Sequence, residues 1–191
     1  MRGMASSMTV RDTHRSRLYG AEDQVGRMLD RASKSAYGAG ATVEFHGSRL
    51  TLPVERRFAD VASVQRYVDS VLAMGPVRKR WGVVPALTVR ERTGQRAAHY
   101  EPPGVIAIPA RERWALRELV VCHEIAHHIT EHSTPSRDRA RHGPPFPDVY
   151  ASLVGMAIGP EVELLLRSAL SESGVTVRDA AGDAVRVGNA G

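Results

Sequence analysis

Cysteine is nearly absent. Cys122 is the only one in 191 residues, so no disulfide can form within the chain, and a reducing compartment is the expected setting. Lysine is almost missing as well: among 26 basic residues only Lys34 and Lys79 are lysine, and the positive charge is carried by arginine. Aromatic residues make up 5% of the chain, too few and too scattered to interleave with the basic runs "VRKRW" and "RDRARHG" as a base-stacking surface would. No stretch approaches the roughly 18 to 20 consecutive apolar residues of a membrane span, and "MRGMASSMTVRDTHRSRLYG" lacks an apolar core of signal-peptide length. These absences lead us to expect a soluble, cytoplasmic protein with no membrane partner.

What is present suffices for a core. At 42% hydrophobic residues, the chain can bury enough apolar surface for one domain. We expect a flexible N-terminal segment over 1–20, a folded domain over 21–172, and a tail or hairpin over 173–191. The net charge of +5 with a pI near 9.9 admits nucleic acid as a partner, although dispersed arginines fit a solvated basic surface better.

Helical spacing predicts a helix over 21–36, with Val25, Met28 and Leu29 on one side, and another through "FADVASVQRYVDSVLAM", closed by Gly75-Pro76. "ATVEFHGSRLTLP" reads as a hairpin about His46-Gly47-Ser48. Three strand-like runs follow, "ALTVRER", "AAHYE" and "VIAIP", whose short connections suggest antiparallel neighbours. From about Arg111 to Glu131 the pattern is helical, with Trp114 on the face opposite the histidines. "PDVYASLVGMAIG" and "PEVELLLRSALSESG" predict two more helices split at Gly159. Helices and strands in separate blocks indicate an α+β fold.

The helix through "CHEIAHH" carries the chemistry. Residues four apart lie about 40° from each other on a helix, so His123 and His127 present both imidazoles on one face. Two imidazoles one turn apart can reach a common Zn²⁺, and Glu124 beside them can take a proton from a water that the metal activates. Apolar residues on both sides of the helix require central burial.

A catalytic site of this kind needs a third protein ligand. The extension His-Glu-x-x-His-x-x-Gly-x-x-His fails, because Thr130 and Ser133 stand where glycine and histidine belong. His132 points to the back of the helix, Asp138 sits in a polar loop, and Glu161 and Glu163 open a later helix. His142 is the strongest candidate, since it opens "HGPPF" after a loop long enough to bring the chain back over the motif. Candidates for stabilising an oxyanion are Tyr100, His99, His128 and Tyr150. Cys122 reads as a buried small apolar residue.

"HEIAHH" followed by "HGPPF" resembles the SprT-like minimal zinc metallopeptidases, and also a small actinobacterial family of metallohydrolases, across roughly residues 83–158. The resemblance implies a zincin-like single domain with a small antiparallel sheet packed on a central His-Glu-x-x-His helix. It implies Zn²⁺ held by His123, His127 and His142, with Glu124 as general base and a peptide or protein substrate lying along "VIAIP" as the sheet edge. The alternative is a zinc-stabilised binding or regulatory module that contacts nucleic acid or a protein partner. The zinc-ribbon cysteines of some SprT-like proteins are missing, which weakens any transfer of their DNA-repair role to this chain.

Overall fold

Leu18, Ala21, Val25, Leu29 and Ala32 recur at intervals of three and four, and this row becomes the buried face of helix α1 (Arg15–Ser35). The computed structural model describes residues 12, 14–35, 41–94, 97–135 and 140–178. The helix starts at Arg15 rather than at Ala21, and thereby takes in the last residues of the stretch expected to be flexible.

Strands β1 (Ala41–Phe45) and β2 (Ser48–Leu52) form the expected antiparallel hairpin. His46 and Gly47 turn it with φ of 46° and 75°, the left-handed pair that a two-residue hairpin turn requires. Helix α2 (Val61–Ala73) is opened by a capping box in which the Asp60 carboxylate accepts from the Ser63 N–H and the Ser63 hydroxyl oxygen accepts from the Asp60 N–H. Its buried face is Val64, Tyr67, Val68 and Val71. Where the sequence suggested only a stop, a short helix α3 (Gly75–Trp81) follows with Pro76 in its first turn.

Strands β3 (Thr88–Glu91), β4 (His99–Glu101) and β5 (Val105–Ile108) form one sheet in the order β3-β5-β4. Two expectations are corrected here. The sheet is mixed rather than antiparallel, because β5 pairs parallel with β3 and antiparallel with β4. "VIAIP" is the central strand, not the edge. Ile106, Ala107 and Ile108 are all buried, and a run that is apolar on both faces belongs in the middle of a sheet. The edge beside the motif helix is β4, whose His99 and Glu101 are half-buried.

Helix α4 (Glu118–Ser133) carries the motif and begins later than Arg111. Residues 55–58 run antiparallel to its start: the Phe58 N–H donates to Leu116 C=O, the Glu118 N–H donates to Arg56 C=O, and Arg57 bridges to Arg117. That pairing holds Arg117 extended (φ −112°, ψ 148°), so the helix cannot propagate back through the preceding turns. Trp114 therefore lies outside the helix, 41% exposed. The buried Glu55 carboxylate accepts from the Leu119 N–H at 3.0 Å, an N-terminal cap supplied from 64 residues away.

Helices α5 (Phe146–Ala157) and α6 (Pro160–Glu172) meet at Gly159, whose φ of 153° favours glycine. Helix α4 packs on α5, α5 on α6, and α6 on α1, while α4 also packs against β4. The class is α+β. Among the described residues no helix is long and apolar enough to cross a membrane. The tail or hairpin expected over 173–191 is described only as far as residue 178, and the loop residue Asp138 lies outside the described residues.

Candidate metal centre

Helix α4 is buried almost all round, from Glu118 through Thr130 except at Val120. His123 and His127 share one face of it, with Nε2 atoms 3.2 Å apart. His142 arrives from the loop before α5. There the Gly143 N–H donates to Ala140 C=O and the Phe146 N–H donates to Gly143 C=O, so the chain turns tightly at "HGPPF". A Cβ on Gly143 would stand 3.3 Å from the Ala140 oxygen, so the turn favours the residue without one. This loop brings His142 Nε2 to 3.3 Å from His123 Nε2. The three imidazoles are buried together and form a group that can hold a metal ion.

Phe146 fills the base of the cluster. Its ring centroid lies 5.1, 4.1 and 5.2 Å from those of His123, His127 and His142. The phenylalanine of "HGPPF" thus packs on all three imidazoles at once and limits their rotation.

Two of the imidazoles are also held from behind. His123 Nδ1–H donates to the Glu22 carboxylate at 2.9 Å, and His142 Nδ1–H donates to Asp12 at 2.5 Å. With the proton on Nδ1, each Nε2 carries a lone pair. At 3.3 Å the two Nε2 atoms stand close enough to share a metal ion, or a proton when His123 is charged. Burial lowers the pKa of His127 far below that of an ordinary histidine, aided by His123 and His142, and burial likewise lowers His142. Burial also opposes charge on His123, but the Glu22 carboxylate outweighs it and raises that group.

Glu124 is 4% exposed, and burial pushes its carboxyl above the usual range. His123, the Tyr100 backbone and Arg141 pull it back, while Glu22 pushes it further up. The result is a carboxylate readier to accept a proton than an exposed one. Arg141 Nη2 also donates to Tyr100 C=O at 2.7 Å.

No protein-family model, curated protein or solved structure matches this chain.

The other residues singled out in the sequence are engaged elsewhere. His128 Nε2–H donates to Pro85 C=O and its Nδ1 accepts from the Tyr100 hydroxyl, so these two candidates satisfy each other. The fully buried Tyr150 hydroxyl donates to Leu119 C=O. His99 lies between Arg92 and Glu101. His132 is exposed and meets His128 edge-on, away from the cluster, and Glu163 pairs with Arg167. Cys122 is buried against the Tyr67 hydroxyl.

Sequence reasoning missed Glu22, Asp12 and Tyr19. Tyr19 lies parallel to His123, with centroids 5.3 Å apart and planes 7° apart, and the Arg15 guanidinium sits over the Tyr19 ring. Burial raises the Tyr19 hydroxyl pKa, as do Glu124 and Glu22, so its phenol is close enough to feel the carboxylate of the motif. Glu22, four residues from Leu18 and three from Val25, is aligned with the apolar row of α1, and a carboxylate in a buried row is the signal that was available.

Proposed function

We propose that this protein is a zincin-like zinc metallohydrolase acting as a peptidase, with His123, His127 and His142 as metal ligands and Glu124 as general base. The observation that carries the reading is the convergence of three buried imidazole nitrogens beside a buried carboxylate. Ligands about 2.0 to 2.1 Å from a tetrahedral zinc stand about 3.3 to 3.4 Å apart, and the Nε2 separations of 3.2 and 3.3 Å fit that spacing. Imidazole donors favour zinc over magnesium or calcium, which prefer oxygen. The SprT-like resemblance of "HEIAHH" and "HGPPF" supports the same assignment.

Zinc at such a site supplies a Lewis acid that activates water and polarises a carbonyl. The chain's own residues do the rest. Glu124 accepts the proton of the attacking water on its carboxylate and delivers it to the leaving amine nitrogen. Phe146 and Tyr19 pack on the imidazoles and keep them in register. The deciding experiment is zinc content of the purified chain beside His142→Ala, followed by incubation with an unfolded protein. About one zinc per chain, lost in the variant, together with cleavage, supports the enzyme. A folded chain that takes up no zinc ends this reading.

A second reading, a zinc-stabilised module that binds nucleic acid, is favoured by the exposed Arg78, Lys79 and Arg80 of α3. It predicts salt-dependent DNA binding without cleavage of protein.

A further inference from the structure

The search outside the three ligands leads back to α1. It lies against α6 and β1, yet Glu22 of its first turns and Asp12, three residues ahead of it, reach the histidines with their carboxylates. We propose that Glu22 and Asp12 are positioning residues of the metal centre, and that metal retention and docking of the first turns of α1 form one linked equilibrium. This rests on the three-histidine reading above.

The argument has three parts. Each carboxylate fixes the tautomer of one ligand: a proton held on Nδ1 by Glu22 or Asp12 leaves Nε2 free to bind. Each also supplies charge. His123, Glu124 and His142 are 1%, 4% and 4% exposed, and a divalent cation among them needs buried negative charge nearby. Glu22, itself 8% exposed, provides it at His123, and Asp12, whose side chain is 22% exposed, adds a partly buried carboxylate at His142. Finally, Tyr19 lies between them in sequence and packs on both His123 and His142, so the same two turns touch both ligands by ring contact as well.

Linkage makes this reciprocal. If docked α1 strengthens the metal site, bound metal must strengthen the docking of α1 by the same factor. The N-terminal stretch expected to lie outside the domain then contributes to the centre of it.

The test uses the full chain and zinc alone. Zinc affinity is measured by competition with a chromogenic chelator for wild type, Glu22→Gln, Asp12→Asn, and Glu44→Gln as a control on exposed β1. Each of the two neutralised variants is expected to bind zinc about 10- to 100-fold more weakly, with the control unchanged. Unfolding midpoints of the metal-free proteins separate this from a merely structural loss, which would lower the midpoint. Hydrogen exchange on wild type alone supplies a readout that needs no variant: amides of residues 15–22 should gain protection when zinc is added. Wild-type affinity in both variants, or unchanged protection with zinc bound, overturns the proposal while the three-histidine site stands. Failure of wild type to bind zinc at all, with His123→Ala indistinguishable from it, overturns the metal reading itself and this inference with it.

Discussion

Replacing Glu124 with Gln keeps the side chain's volume and removes its capacity to accept a proton. The variant should retain zinc and lose turnover by about 10²- to 10⁴-fold, read as metal content beside cleavage of an unfolded protein. An undiminished rate takes Glu124 out of the proton-transfer role. Cys122 gives a prediction of the opposite kind. Burial pushes its thiol well up, and the thiolate is the reactive form, so the folded protein should resist thiol-specific reagents and label only on unfolding. Fast labelling of the native chain would contradict the burial. At this scale the sequence was informative where spacing is local. His123, Glu124 and His127 are placed by helix geometry alone, and His142 by a turn that the Gly-Pro pair announces. Glu22 and Asp12 were not legible as partners, because they meet their histidines from 101 and 130 residues away and no short-range pattern encodes that.

Among the elements, α4 shows a tertiary contact overriding periodicity. Its apolar spacing continues back toward Arg111, yet the helix starts at Glu118 because residues 55–58 hold the preceding backbone extended. Glu55 is central to this. It accepts from Arg117 Nη2 at 2.7 Å and from the Leu119 N–H, while Arg117 also donates to Gly26 C=O on α1. Glu55→Ala should leave a largely buried guanidinium with only Gly26 C=O and the more exposed Asp30 as partners, and cost about 3 kcal/mol in urea unfolding. A loss below about 1 kcal/mol would mean the cap is dispensable. The strands teach a related lesson. Their existence was legible from alternation and Pro-Gly punctuation, but their order was not. β4 precedes β5 in sequence, and β3 still pairs with β5, because the most apolar run takes the centre.

For the whole molecule, zinc should act as a stabilising ligand of the native state only. At a hundredfold excess over its dissociation constant it contributes about 2.7 kcal/mol, which for a chain of this size raises the unfolding midpoint by about 5 to 10 °C. Calorimetry with and without a chelator reads this directly, and His142→Ala should show little of the rise. An identical midpoint in both conditions would disconnect the histidine cluster from metal binding. The α+β class was legible from the succession of helical and alternating segments. The way α1 closes the far side of the site was not, because a helix's amphipathic row says that it packs but not on what.

Tyr100 shows what an incoming chain would meet. Its backbone C=O is taken by Arg141, so the sheet edge beside the cluster is already dressed by one of the protein's own side chains. An extended ligand reaching that point must swap partners rather than simply add a strand. Entry would be a competition in which the guanidinium is displaced from the Tyr100 carbonyl.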